Sequence, residues 1–210
     1  MNIQTAIADY KTVLEKLIGE GQISDPTSPK GKLLKEAAHL FSTKGYERTT
    51  VRDIAKEVGI QSGSIFHHYK SKEDILKAVM TDAVILNTAR MQAALDVATN
   101  PKEKILALIR CELDGINGVT GEAMGILVYE WRSLSPENQQ DILELREIYE
   151  NLWLDSIEAG RKAGIVKGEA FILRRLIQGA LSWTYTWYKR EGQMTMEQLA
   201  EQALLMAVRD

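Results

Sequence analysis

The chain has 210 residues, of which 45% are hydrophobic and 26% are charged, and its formal net charge is −3. These values are typical of one or two folded domains with a sizeable core, and the single cysteine, Cys111, excludes an internal disulfide. The sequence contains no run of 18 apolar residues and no secretory signal pattern at its start, so we expect a cytoplasmic protein without a membrane-spanning helix.

Helix-favouring residues dominate the chain, and no alternating run with hairpin turns appears. Residues 2–18 have apolar residues at helical spacing, which predicts an amphipathic helix ahead of a linker that ends at residue 28. The whole pattern indicates an all-α fold. Further helices are predicted over residues 30–44, 50–59, 62–68, 72–98, 102–117, 121–133, 136–163, 169–190 and 195–208.

Basic residues are concentrated in one segment of the chain. Residues 29–72 contain nine Lys or Arg and four Asp or Glu, whereas the remainder contains 17 basic and 25 acidic residues. A basic module joined to an acidic body suggests a polyanionic partner for the module alone. A chance excess of charge on a solvated face explains the same numbers equally well.

A helix, a glycine turn and a second short helix follow one another in residues 49–72, which is the order of a helix-turn-helix unit. Gly59 ends the first helix, and Ala55 allows the two helices to approach closely. The second helix would present its N-terminal residues to the major groove of DNA. We expect Phe66 and Tyr69 to hold this short helix down. The small core beneath is expected to contain Val51, Ile54, Val58, Ile60 and Ile65.

Polar and basic side chains around this turn suit contacts with a DNA duplex. Arg52 is long enough to reach guanine O6 and N7, and Lys72 can donate to a phosphate. His67 and His68 point in different directions on a helix, and with so few other ligand-type residues we expect no metal site and no cofactor. Packing between helices is an equally good role for His68. The predicted DNA-contacting residues are Thr50, Arg52, Ser62, Gly63, Ser64, His67, His68 and Lys72.

Residues 32–79 resemble the DNA-binding domain of the TetR family of transcriptional repressors. The family pattern is matched without a gap, with small departures at Gln61, where Ser is frequent, and at Phe66, where Tyr is frequent. The resemblance implies a three-helix DNA-binding domain followed by a helical domain that binds a small effector and forms a dimer. The matching motifs are Gly45-Tyr46, Thr49-Thr50, Ile54-Ala55, Val58-Gly59-Ile60, Gly63-Ser64-Ile65-Phe66-His67-His68-Tyr69 and Ser71-Lys72.

Aromatic residues cluster in the second half of the chain, where all four tryptophans follow residue 130. They fit an aromatic-lined pocket with a few polar groups, and ordinary core filling is an equal alternative. Gln178 interrupts an apolar helix face, and a buried Gln would need a partner that a ligand could supply. The predicted ligand-binding residues are Tyr129, Trp131, Arg146, Tyr149, Trp153, Gln178 and Trp183.

Parts of this second half also resemble the TetR subgroup that regulates steroid-ring and acyl-CoA catabolism, in the stretches EWRSLSPENQQDILELREIYENLW and GALSWTYTWY. That resemblance implies release from DNA on binding a coenzyme A thioester. Apolar stripes on the last two helices predict an isologous homodimer. The predicted interface residues are Ile172, Leu176, Ala180, Leu181, Leu199, Ala203 and Leu204.

We therefore expect three segments: residues 1–28 with the extra helix, residues 29–75 for DNA binding, and residues 76–210 for ligand binding and dimerisation. The expected function is a ligand-responsive repressor of a pseudo-palindromic operator. A constitutive DNA-binding protein without an effector is the alternative. An enzyme is not expected, because no nucleophile with a base, phosphate loop or carboxylate pair forms a recognisable motif.

Overall fold

The computed structural model describes residues 10–118 and 120–209, which contain ten α-helices and no β-strand. The predicted all-α class is confirmed. Residues 2–9 of the predicted first helix lie outside the described residues. The α-helices are α1 (Tyr10–Gly19), α2 (Pro29–Lys44), α3 (Val51–Val58), α4 (Ser62–Ile65), α5 (Lys72–Val97), α6 (Pro101–Asn117), α7 (Gly121–Tyr129), α8 (Pro136–Lys162), α9 (Ala170–Trp183) and α10 (Met196–Ala207).

Local capping residues explain why most helices begin where the sequence predicts. Ser28 accepts from the backbone N–H of Gly31 at 3.0 Å at the start of α2, and Asn100 does the same for Glu103 at the start of α6. Both helices have proline at the first position, where its missing N–H costs nothing. Among the described residues, no helix combines the length and apolar character that a membrane span requires.

Helix α7 ends at Tyr129, four residues before the predicted end, and a 3₁₀ turn follows over Trp131–Ser133. The Gln139 side chain explains the difference, because its Nε2 donates at 3.1 Å to the carbonyl oxygens of both Trp131 and Leu134. A later side chain therefore satisfies backbone groups that a longer helix would have used.

Helix α9 likewise ends at Trp183, whereas the sequence predicted helix as far as residue 190. Thr184 donates its hydroxyl to the Leu181 carbonyl at 2.6 Å and accepts from Nδ2 of Asn117 at 2.9 Å. Threonine side chains that bond to nearby backbone compete with helix continuation. A 3₁₀ turn over Thr184–Thr186 follows, and residues 187–190 are not helical.

The described residues form two compact units, each with its own apolar core. The head unit comprises Leu14–Leu86 and Glu122–Arg146, and its core is built around side chains that are almost completely buried. These packed residues fix the positions of α2 to α4, the first half of α5, α7 and the start of α8. They include Leu33, Phe41, Ile54, Ile65, Ile75, Leu76 and Met80.

The body unit comprises the described residues of Met1–Val13, Asn87–Gly121 and Glu147–Asp210. Its core joins α6, the later part of α8, α9 and α10. Burial raises the pKa of the Cys111 thiol to about 12, which keeps this cysteine protonated and unreactive at neutral pH. The other core residues include Met91, Ile105, Leu108, Trp153, Ile157 and Ile177.

Candidate DNA-binding surface and buried polar cluster

The first helix of the helix-turn-helix unit, α3, begins with a reciprocal cap. Thr50 accepts from the Asp53 N–H at 3.1 Å, and Asp53 Oδ2 accepts from the Thr50 N–H at 2.8 Å and from its hydroxyl at 2.9 Å. Lys44 donates to the same oxygen at 2.7 Å and is the main reason why the pKa of Asp53 is lowered. Because the Thr50 hydroxyl proton is donated to Asp53 Oδ2, its predicted bond to a phosphate would have to replace that hydroxyl bond, while the two backbone bonds of the cap could remain.

Gly59 makes the turn between α3 and α4. Its φ of 77° lies in the left-handed region, and its N–H is shared between the carbonyls of Ala55 and Lys56. A β-carbon at Gly59 would meet open space, so backbone conformation rather than crowding requires glycine here. Ile60, which was expected in the core after this turn, is 39% exposed, and that expectation was wrong.

The second helix, α4, buries its apolar residue Ile65 and leaves its other residues exposed or half-buried. Ile65 and the following Tyr69 are buried in the head core, as predicted. Phe66 is 54% exposed, so the prediction that it holds the helix down is wrong. Phe66 lies within residues 62–68, which also contain five of the predicted DNA contacts. Of these contacts, Ser62 is half-buried, and Gly63, Ser64, His67 and His68 are exposed.

Lys72 lies inside the head unit rather than on an open surface. Its ammonium donates to the carbonyl oxygens of Tyr46 at 2.8 Å and Thr49 at 3.0 Å, and it lies 4.0 Å from the centroid of the Tyr46 ring. Two of its three protons are therefore used to tie the start of α5 to the segment before α3. The side chain acts as a brace, while its predicted phosphate contact stays a prediction.

The segment after α7 is tied to the DNA-reading part of the same unit. Glu130 accepts from the Tyr46 N–H at 3.1 Å, and Glu73 accepts from the Ser135 N–H at 2.7 Å. Trp131 is partly buried against the head core. Sequence reasoning missed these two glutamates, because their partners are more than 60 positions away in the chain.

The seven predicted ligand-binding residues are divided between the units. In the head unit, Arg146 lies 6.0 Å from the ring centroid of Trp131, and Tyr129 is 74% exposed. In the body unit, Gln178 is only half-buried and accepts from Arg175 at 3.3 Å. Arg175 therefore supplies a partner for Gln178, and its predicted contact with a ligand stays a prediction. The four body-unit residues of this set are Tyr149, Trp153, Gln178 and Trp183.

Tyr149 and Trp153 lie in the body core and share a partner, Glu112, that sequence reasoning missed. Glu112 Oε2 accepts from the Tyr149 hydroxyl through a short contact and from Trp153 Nε1 at 3.2 Å. Arg174 is completely buried beside them, with its guanidinium carbon 4.5 Å from the Trp153 ring centroid. The only signal in the sequence was an acidic residue within the apolar run ILALIRCEL.

The predicted dimer stripe separates into buried and exposed residues. Leu181, Leu199 and Leu204 are buried in the core of their own body unit, so they cannot form the contact surface predicted for them. On α9, Leu176 is 65% exposed and Ile172 is similarly exposed. Together with Gly179 and Trp183 they form one exposed stripe at helical spacing. Ala180 and Ala203 are half-buried.

A helix-turn-helix unit with an apolar underside and an exposed polar reading face defines a DNA-binding protein. Residues 33–79 match the family model "Bacterial regulatory proteins, tetR family", and residues 98–210 match "Tetracyclin repressor-like, C-terminal domain". The chain belongs to the TetR family of transcriptional regulators. Neither model is a catalytic domain.

Several known proteins are similar over nearly the whole chain. The HTH-type transcriptional repressor KstR2 of Mycolicibacterium smegmatis is 33% identical over 190 residues, covering 88% of this chain and 91% of that protein. A crystal structure of the superantigen pfit matches with 52% identity and a TM-score of 0.84, covering 96% and 100% of the two chains. The structure of AibR with isovaleryl coenzyme A and operator DNA matches in fold, with 23% identity, a TM-score of 0.78, and coverage of 86% and 98%.

Proposed function

We propose that this protein is a ligand-responsive repressor that binds a pseudo-palindromic operator as a homodimer and is released by a small hydrophobic effector. The main observation behind this proposal concerns residues 62–69, the recognition segment, whose side chains, apart from the half-buried Ser62, are either exposed or buried in the head core. Gly63, Ser64 and His67 are exposed, while Ile65 and Tyr69 anchor the segment in the head core. Such a segment offers hydrogen-bonding groups to base edges and phosphates from a fixed position.

The exposed stripe on α9 supports the homodimer. Ile172 and Leu176 are large apolar side chains in water, and self-association on a two-fold axis would bury them. We propose an interface centred on Ile172, Leu176 and Ala180 of the predicted set, with the exposed Trp183, which was predicted to bind ligand, added to it. A dimer would place its two recognition segments about 34–36 Å apart, one turn of DNA.

An acyl-coenzyme A thioester is the proposed class of effector. This choice is supported by the likeness to KstR2 along most of the chain, and AibR, which shares the fold, is known with isovaleryl coenzyme A bound. Helix α5 contributes residues to both units, so a ligand that displaces its body-unit residues would also displace its head-unit residues. Couplings of this kind are typically worth about 1–3 kcal/mol.

The first test uses duplexes selected in vitro from random DNA. Fluorescence anisotropy should give a selected pseudo-palindrome that binds far more tightly than its scrambled version, with two chains per duplex. Saturating effector, identified by thermal stabilisation against a panel of acyl-coenzyme A thioesters, should then weaken operator binding about 5- to 150-fold. Effector binding without any change in operator affinity would contradict the release mechanism.

Two other candidates predict different results. A constitutive DNA-binding protein would select an operator but would bind no member of the panel. The 52% identity to the superantigen pfit favours a protein-binding candidate, in which the reading face has no role. That candidate predicts that no operator emerges from the selection and that Arg52→Ala has no effect on DNA binding.

A further inference from the structure

Arg174 in α9 is a buried guanidinium with unused hydrogen-bond donors. Its side chain has no exposed surface, and its Nε donates to Glu150 Oε2 at 3.3 Å. Among the described residues, neither Nη1 nor Nη2 has a hydrogen-bond partner, although Nη2 lies 3.7 Å from Glu112 Oε2. Buried donors of this kind are rare in folded proteins, and each asks for an acceptor.

Glu112 neutralises Arg174 without satisfying these donors. Its Oε2 already accepts from the Tyr149 hydroxyl and from Trp153 Nε1, so both lone pairs of the oxygen nearest to Arg174 are engaged. The Tyr149 and Trp153 rings lie 5.7 and 4.5 Å from the guanidinium carbon and hold it in place. The arrangement leaves the outer nitrogens of Arg174 fixed in direction and available.

The charges of this cluster are already balanced. Glu112 and Glu150 carry two negative charges, while Arg174 and Arg175 carry two positive charges, and Arg175 Nη2 lies 3.1 Å from Glu150 Oε1. A further carboxylate brought into this buried region would lack a counter-charge, which is costly away from water. A neutral oxygen acceptor, such as a carbonyl group, would satisfy the donors without upsetting the balance.

We propose that Arg174 is the residue that recognises the carbonyl oxygen of an acyl thioester effector, and that the cluster excludes the corresponding free carboxylate. This inference rests on the proposed function, since it assigns the acyl end of the effector to the body unit. Tyr149 and Trp153 then position Glu112 and Arg174 by hydrogen bonds and ring contacts, rather than lining the ligand along its length.

The decisive measurement compares an acyl thioester with an analogue that differs from it only at the carbonyl, and with the free acid, which also lacks coenzyme A. Isothermal titration of the full-length protein would use the tightest-binding acyl-coenzyme A thioester, its thioether analogue with CH₂ in place of C=O, and the free acid. We expect the thioester to bind about 10- to 150-fold more tightly than the thioether, the range for a hydrogen bond from a charged donor. The free acid should not bind measurably.

The variant Arg174→Met should bind thioester and thioether with equal affinity. Arg110→Met is the matched control, because Arg110 is also a buried body-unit arginine paired with a glutamate, Glu197. That control should keep the preference for the thioester. If Arg174→Met does not fold, the double variant Glu112→Gln/Arg174→Gln is used in its place. It removes both charges of the pair together.

The outcomes separate the two proposals. A folded Arg174 variant that still prefers the thioester overturns the assignment of Arg174 and leaves the effector class intact. Tight binding of the free acid by the wild type also overturns it, because the charge-balance argument would be wrong. If no thioester binds the wild type, the proposed effector class fails, and this inference falls with it.

Discussion

The cores of the two units differ in how many polar and charged side chains they bury. Among the described residues of the head unit, Thr49 is the only buried side chain that is neither apolar nor aromatic, and it is uncharged. The body unit buries four charged side chains, Arg90, Arg110, Glu112 and Arg174. An apolar core needs only the right pattern and volume, whereas buried charges need partners at defined positions.

This difference corresponds to the two proposed tasks. The head unit has to hold a reading face rigidly, and an apolar core with a braced helix start does this. A unit that recognises a polar effector group needs polar atoms inside, and the desolvation of these atoms lowers its stability. The comparison predicts that the head unit fails when it loses packing or braces, and that the body unit fails when a single charge loses its partner.

The largest expected effect is in the body unit. Glu112→Ala removes the carboxylate that Arg174 faces, which should lower the free energy of unfolding by about 3–5 kcal/mol. The double variant Glu112→Gln/Arg174→Gln should cost much less, because no charge is left unpaired. Urea unfolding of both variants measures this. Equal losses would mean that packing, not charge pairing, holds this part of the core.

In the head unit, Lys72→Met should lower stability by about 1.5–3 kcal/mol, because it removes two charge-assisted hydrogen bonds to the carbonyls of Tyr46 and Thr49. Operator binding should weaken with an unchanged dependence on salt. Lys70→Met is the control, since Lys70 is two positions away and exposed. If Lys72→Met instead lowers the salt slope by about 1, Lys72 contacts a phosphate after all.

Arg52 tests the reading face itself. It is exposed near the start of α3 and is predicted to contact a guanine. Arg52→Ala should cost about 1–3 kcal/mol on the selected operator and should relax the preference at one base position in each half-site. Anisotropy titrations on operators with single base changes measure this. An equal loss on operator and random DNA would remove the base-reading role.

Phe66 gives a smaller and more specific test. Its exposed ring is suited to apolar contact with a thymine methyl group in the major groove. Replacing the contacted thymine with deoxyuridine should cost the wild type about 0.8 kcal/mol, the value of one buried methyl group. Phe66→Ala should bind both duplexes equally. If every thymine can be replaced without loss in the wild type, Phe66 reads no methyl group.

The smallest effect concerns pH and the cap of α3. The pKa of Asp53 is lowered, mainly by Lys44, so its contribution to stability is complete above its unfolded pKa of about 3.9. That contribution is lost as the pH falls below about 4 toward the folded pKa. Asp53→Asn should therefore make the head unit less stable at pH 7 but change its stability little in strong acid. A difference that is independent of pH would contradict this account.

Local patterns made the head unit predictable in detail. The glycine turn at Gly59, the cap at Thr50 and the buried Ile54 and Ile65 follow from residues that lie close together in the sequence. Phe66 was misplaced because it directly follows a four-residue helix, where the side that faces the core depends on packing and not on periodicity. The bracing role of Lys72 was missed because its two carbonyl partners are more than 20 residues away in the sequence.

The body unit was predictable only in outline, as helices with apolar stripes. Which stripe faces inward depends on the neighbouring helices, and for that reason Leu181, Leu199 and Leu204 were assigned to the wrong surface. Glu112 and Arg174 are 62 positions apart, and nothing in either local sequence predicts their pairing.

The sequence by itself determined the all-α class, the family, the helix starts and the reading segment, because caps, turns and helical periodicity act over a few residues. Only the tertiary structure decided which charges are buried, where α7 and α9 end, and which apolar side chains stay in water. Those outcomes depend on contacts between distant segments, since a buried charge or an unfinished helix end is stabilised only where another part of the chain supplies its partner.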